Sequence, residues 1–280
     1  MISFNKCRWD SYYEMSREIY SMSGESIDDK VDIYDLTVIE HNDSSPVINI
    51  GTSEYKKIIS NLSKKVREQF KDPANYRQQA RSYGLNNIWS CKNELQSLGD
   101  YIVPQMEEKV FKSYVQVDNI KIYRSPVSNE PDTSSWLWHF DNNPKEQIKI
   151  LIYLSDVGPG CGEFTFLCKN SSGLKVPTSR VSWDDWSNPW DKKPASFLLK
   201  EQRLHWSGTD RVPKNIVESL INRQNYKKYS ATGKEGTLFL FDNNIIHKAT
   251  VPKSKPRDVV VLQFKPSIER VTPYINESST

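Results

Sequence analysis

From Val115 onward the chain falls into short runs rich in β-branched and aromatic residues, VQVDNIKIY, SWLWHFD, QIKILIYLS, EFTFL, GTLFLFD and VVVLQF, separated by Pro, Gly, Asn and Asp. Such runs predict strands. No helical pattern alternates with them, which argues against a parallel doubly wound sheet and for an antiparallel sandwich or barrel. Ahead of them, Ile58, Ile59, Leu62, Val66 and Phe70 recur at helical spacing, with Ser53 as a cap and Asp72-Pro73 as a stop. A second helix is predicted from Lys92 to about Lys112. Residues 1 to about 50 mix a strand-like piece, VDIYDLTVI, with turn formers. A polar insert of about 169–234 divides the β region. It carries Trp183, Trp186, Trp190 and Trp206 and a short predicted helix near Asn215–Ile221. A connection this long usually serves as a lid or as added structure.

Composition adds limits. The 280 residues, 37% hydrophobic and 26% charged, have the balance of a globular protein. With no internal repeat or low-complexity linker, residues 1–280 read as one domain: a mixed helical region 1–114, then a β core of about 115–265. The 38 basic and 35 acidic residues are dispersed. No basic block stands out beyond Lys64-Lys65-Val66-Arg67, the solvated side of a helix, so nucleic acid is not an expected partner. Cys7, Cys91, Cys161 and Cys168 form no CxxC pair, which predicts free thiols in a reducing compartment. The first residues lack a signal-peptide core, and no run is long enough to span a bilayer. The expectation is a cytoplasmic protein without a membrane partner.

The chemistry is concentrated in few residues. Of the four histidines, His139 lies two residues before Asp141 in Trp136-Leu-Trp-His-Phe-Asp. In an extended chain that spacing puts both side chains on one face, with Phe140 on the other. His247 follows the strand Gly236-Thr-Leu-Phe-Leu-Phe-Asp and is placed to be a third ligand. Two histidines and a carboxylate on one face of an octahedron leave the opposite face open, as non-haem Fe(II) oxygenases require. A structural zinc site would close four positions with protein ligands. Arg257 opens the strand Arg257-Asp-Val-Val-Val-Leu-Gln-Phe with the parity of Val259 and Val261. A guanidinium buried there needs an anionic partner, and a dicarboxylate accepts its paired hydrogen bonds. Taken alone, HxD is a common tripeptide, and Arg257 also reads as a surface residue of the turn after Lys253.

Together these residues resemble the 2-oxoglutarate/Fe(II) dioxygenases, and within them the phytanoyl-CoA dioxygenase-like group. Ile122-Tyr-Arg-Ser-Pro is similar to the strand ahead of that group's metal motif. Trp138-His-Phe-Asp resembles its WHxD motif, and the segment from Gly236 to His247 its distal histidine segment. Arg257 falls at its co-substrate arginine. The Tyr153-to-Phe166 segment is more similar to the prolyl-hydroxylase branch. The match covers roughly residues 115–265.

The resemblance implies a mainly β fold with flanking helices and a double-stranded β-helix (jelly-roll, cupin-like) core. It implies Fe(II) on His139, Asp141 and His247, 2-oxoglutarate on the metal and Arg257, and consumption of O2 with release of succinate and CO2. Retention of Asp141, which related halogenases replace with a small residue, favours hydroxylation or desaturation. Tyr153, Tyr123, Arg124 and Lys149 are further candidate co-substrate contacts. A small molecule is the expected substrate. The alternatives are a prolyl-hydroxylase-like enzyme acting on protein or peptide, and a non-catalytic jelly-roll binding module.

Overall fold

The computed structural model describes residues 9–26, 31–41, 47–79, 81–170, 172–176, 195–199, 204–208 and 210–276, with 195–199 and 204–208 described by backbone alone. The chain runs α1 (Trp9–Met22), β1 (Val38–His41), α2 (Ser53–Gln69), β2 (Tyr76–Gln79), β3 (Ser82–Leu85), α3 (Lys92–Met106), β4 (Tyr114–Ser125), β5 (Ile148–Tyr153) and β6 (Phe164–Lys169). It continues with β7 (Ser172–Gly173), β8 (Ala195–Leu199), β9 (Leu204–Gly208), α4 (Lys214–Gln224), β10 (Lys227–Ala231), β11 (Leu238–Asp242), β12 (His247–Ala249) and β13 (Arg257–Ser267).

The larger sheet has the order β1-β11-β5-β13-β4-β3-β2 and the smaller one β10-β6-β12, with β7 on β6; β8 and β9 form a separate pair. The pairings are antiparallel. The architecture is the expected one, mainly β with flanking helices, and the two sheets do not close into a barrel.

Strand parity explains why QIKILIY reads as a nearly continuous apolar run. Ile148, Ile150 and Ile152 face outward into a cluster with Ile59, Leu62 and Val66 of α2 and Leu95, Leu98 and Ile102 of α3. Leu151 and Tyr153 face inward and pack with Phe164, Phe166, Phe239, Phe241 and Val259 between the sheets. Both faces of β5 are therefore out of water, and each fully buried aliphatic or aromatic side chain stabilises the fold by about 1.5–3 kcal/mol. A third cluster joins Ile216, Val217 and Leu220 of α4 to Leu167, Ile246 and Phe140.

Several local expectations change. Helix α1 was not expected; its buried face is made of Trp9, Tyr12, Tyr13, Ser16 and Tyr20, aromatic residues in place of an aliphatic stripe. Thr52, not Ser53, caps α2, its side chain accepting the Tyr55 N–H at 3.1 Å. The second helix ends at Met106 in a wide turn, Glu107–Phe111, closed by Lys112 at φ 54°. SWLWHFD forms no strand. Ser134 at φ 54° and Asn142 at φ 52° bracket it with left-handed residues, and His139 alone makes bridges, to Arg211 and His247.

Glu107 links this framework to pH. Its carboxylate is 2% exposed and accepts the Val115 N–H at 3.1 Å, and burial raises its pKa from 4.5 to about 7. A folded-state pKa above the unfolded value gives stability that is complete below the unfolded pKa and lost as pH rises through the folded one. The loss is on the order of 3 kcal/mol. Glu107→Gln keeps the accepting oxygen and removes the charge. Its melting temperature is expected to gain on the wild type between pH 5.5 and pH 8; a gap independent of pH refutes this linkage.

Candidate metal centre and its cavity

His139 and His247 exchange backbone hydrogen bonds, 2.9 Å from the His139 N–H and 2.8 Å from the His247 N–H. Directly opposed residues of an antiparallel pair project their side chains to the same side. The two rings lie 4.3 Å apart. Nδ1 of His139 sits 2.8 Å from the Leu137 carbonyl, and Nδ1 of His247 sits 2.8 Å from the Ile245 carbonyl. A carbonyl accepts only, so each Nδ1 carries the proton and each Nε2 presents a lone pair.

Asp141 follows Phe140, which is fully buried in the α4 cluster and turns its two neighbours the other way. The Asp141 N–H donates to the Asn243 carbonyl at 2.8 Å. Its carboxylate lies 3.9 Å from Nε2 of His139 and 4.0 Å from Nε2 of His247. One ligand atom from each of His139, Asp141 and His247 falls within 4.8 Å of the others. The turn Asp242-Asn243-Asn244 holds this arrangement. Asn243 Nδ2 donates to the Gln147 carbonyl and Asn244 Nδ2 to the Asn143 carbonyl, each at 2.9 Å, tying down the loop after Asp141.

The electrostatics suit a cation. Burial, with His247 alongside, lowers the His139 pKa to about 3, and burial also lowers that of His247. Both rings are neutral at pH 7 and free to ligate. Burial works to raise the Asp141 pKa, but Lys149, His247 and His139 outweigh it and hold the carboxyl well below the usual range. Lys149 Nζ stands 2.5 Å from Asp141 Oδ2.

The triad opens into a cavity of about 380 Å³. Its floor is the inward face of the larger sheet, laid out in register: Arg257 opposite Ser125, then Tyr123 two residues back along β4. Next come Val261 between Lys121 and Leu151, and Gln263 between Asn119 and Lys149. Arg257 is 1% exposed. One Nη donates to the Gly162 carbonyl, the other lies 3.3 Å from Ser125 Oγ, and Nε has no partner. No carboxylate pairs with Arg257 among the described residues.

Two expected co-substrate contacts are committed elsewhere. Tyr153 faces inward as its parity requires, but its hydroxyl donates to the Ala231 carbonyl at 2.7 Å and accepts the Phe164 N–H at 3.0 Å. It bolts the sheets together and does not line the cavity. Arg124 makes a two-point pair with Asp258, both bonds 2.7 Å, and also lies outside the cavity lining. Its parity is opposite to that of Tyr123. Tyr123 does line the cavity, its ring 6.0 Å from the Arg257 guanidinium carbon. Lys149 lines it too, with its ammonium on Asp141.

Sequence reasoning missed Gln79, Arg81, Ser82, Trp136, Asp210 and Arg211, all at the cavity wall. No sequence pattern pointed to Arg211; the fold brings it beside His139 through an isolated bridge. Trp183, Trp186 and Trp190 lie outside the described residues, as do the side chains of His205 and Trp206 on β9.

No protein-family model matches the chain, and no curated protein matches it in sequence. Solved structures do match. The epimerase SnoN, in complex with Fe3+, alpha-ketoglutarate and nogalamycin RO, is 10% identical with a TM-score of 0.50, covering 92% of this chain and 84% of that one. EctD from S. alaskensis with 2-oxoglutarate and 5-hydroxyectoine is 14% identical at a TM-score of 0.46, covering 86% and 77%. HygX from Streptomyces hygroscopicus with nickel and 2-oxoglutarate is 12% identical at 0.44, covering 75% and 80%. At these identities the likeness is one of fold, and the fold is that of SnoN.

Proposed function

We propose that the chain is a non-haem iron(II) oxygenase that uses 2-oxoglutarate and O2 to hydroxylate a small molecule, releasing succinate and CO2. The observation that carries this reading is one cavity holding both a His-Asp-His triad and a buried Arg257 without a carboxylate partner. His139, Asp141 and His247 would hold the iron from one side. Arg257, with Ser125, would bind the far carboxylate of 2-oxoglutarate, which supplies the partner a buried guanidinium needs. Bound iron, 2-oxoglutarate and O2 supply the oxidising chemistry; the protein orients them and excludes water. Lys149 holds Oδ2 of Asp141 at 2.5 Å and would orient the carboxylate toward the metal. Leu151, Phe164, Phe241 and Val261 give the cavity an apolar side against water.

The iron and alpha-ketoglutarate named for SnoN support the reading. SnoN is an epimerase, so hydroxylation as the outcome rests on Asp141 and on the motif resemblance, as does the phytanoyl-CoA dioxygenase-like grouping. A cavity of about 380 Å³ is within the range of small-molecule sites. We take residues 1–280 as one domain, supported by the packing of α2 and α3 on the larger sheet. No described helix is long and apolar enough to cross a membrane. Buried free thiols at Cys91, Cys161 and Cys168 support a reducing, cytoplasmic setting.

Anaerobic titration of the protein with Fe(II) and 2-oxoglutarate is expected to give a visible charge-transfer band, and oxygen to give succinate. His139→Ala should abolish both; succinate formation that survives this substitution overturns the proposal. Arg257→Gln should retain the metal and weaken 2-oxoglutarate at least about thirtyfold, as loss of one partner of a buried charge pair does. Tyr153→Phe should lower the melting temperature and leave 2-oxoglutarate affinity within about twofold, since a conservative change outside the site removes stability and not binding. A large loss of affinity would return the hydroxyl to the site.

A further inference from the structure

One polar side chain on the cavity floor has its orientation imposed from outside the cavity. Gln263 lies on β13 between Asn119 of β4 and Lys149 of β5, and all three line the cavity. It stands six residues along the strand from Arg257, roughly 20 Å. A 2-oxoglutarate held by Arg257 is too short to cover that distance. Lys149, directly across from Gln263, extends to Asp141 and ties this stretch of floor to the metal centre.

The orientation follows from a chain of hydrogen bonds that begins at an ion pair. Lys265 Nζ holds Asp118 Oδ1 at 2.5 Å, and Gln147 Nε2 donates to Asp118 Oδ2 at 3.2 Å. A carboxylate paired with an ammonium only accepts. Gln147 must therefore turn its amide nitrogen to Asp118 and its carbonyl oxygen away from it. That oxygen accepts from Gln263 Nε2 at 2.6 Å. Gln147 is fully buried, and its backbone carbonyl accepts from Asn243 Nδ2 at 2.9 Å, so the middle of the chain is held in place. Gln263 thus commits its donor to the relay and keeps Oε1. That oxygen has no partner among the described residues and is not sealed from solvent.

We propose that Gln263 is a specificity-determining residue whose Oε1 receives an O–H or N–H donor of the primary substrate. Asp118 is the positioning residue that sets this polarity through Gln147. The inference rests on the proposed function, which assigns the Arg257 end of the floor to the co-substrate. A hydroxyl or amine satisfies Oε1. A carbonyl or ether of the same shape sets two acceptors face to face and leaves Gln263 unpaired, which selects against it. The substrate class is therefore an alcohol or an amine, read by its donor.

The test uses full-length protein loaded anaerobically with Fe(II) and saturating 2-oxoglutarate, so that Arg257 is already occupied. Cyclohexanol and 1-phenylethanol are titrated calorimetrically beside the ketones of the same skeleton, cyclohexanone and acetophenone. In at least one pair the alcohol is expected to bind about tenfold more tightly, the cost of leaving an acceptor unpaired. Gln263→Met should close that gap by weakening the alcohol. Asp118→Asn should invert the relay. With its oxygen kept on Lys265, the introduced amide nitrogen donates to Gln147, which turns over and makes Gln263 present its own nitrogen. The ketone should then bind at least about fivefold more tightly than it does to the wild type, a gain that loosened packing does not give. An unchanged circular dichroism spectrum is the fold control for both variants. Ketones bound as tightly as alcohols by the wild type, or no binding by any of the probes, overturns the proposal. So does a gap that survives Gln263→Met, or a folded Asp118→Asn without the ketone gain. The contrast in the wild type does not depend on either variant folding. Absence of the iron–2-oxoglutarate band in the wild type is a separate failure, that of the proposed function itself.

Discussion

The two backbone hydrogen bonds between His139 and His247 are the constraint on which the site depends. They join segments far apart in sequence with a single bridge, and the residues so paired are the ones whose rings must converge. Nothing near His139 forms a continuous strand, so isolated bridges to His247 and Arg211 fix its position. The surroundings reinforce it. Phe140 is locked into the α4 cluster, and the Asn243 carbonyl accepts from Asp141. The backbone carbonyls of Leu137 and Ile245 each hold one imidazole by Nδ1. Rotamer, tautomer and backbone are thus set before any ligand arrives, which is what preorganises a site.

The larger sheet performs a second function. Helices α2 and α3 cover its outer face, so every inward position of β4, β5 and β13 can be given to the space between the sheets. Apolar rows in that space hold the sheets together, and polar rows line the cavity. Tyr153 lies at the boundary between the two uses. Its ring packs on Phe239, while its hydroxyl ties β5 to the paired backbone groups of Phe164 and Ala231 at one end of the smaller sheet's strands β6 and β10. A hydroxyl with two backbone partners has no capacity left as a donor, whatever its parity.

This explains which features were legible in the sequence. Period-two runs with apolar residues at both parities gave β5, β11 and β13, because strands buried on both faces leave that mark. The Ile58-to-Phe70 periodicity gave α2. His139, Asp141 and His247 do come together, through isolated bridges in a segment that forms no strand, and Arg257 shares the inward parity of Val261 on β13. Roles that depend on contacts across the fold were not legible. Arg124 looked like a site residue until Asp258 was found beside it on the neighbouring strand. Lys149 looked like a co-substrate ligand until its ammonium was found on Asp141. Arg81 and Arg211 lie on the hairpin and ahead of α4, where no strand pattern points to the cavity.

Lys149 and Lys121 both line the cavity. Both rise from the floor, on strands that flank β13, and each is an influence on the same carboxylate. The ammonium of Lys149, bonded to Asp141, lowers the negative charge that this carboxylate offers and helps to fix its orientation.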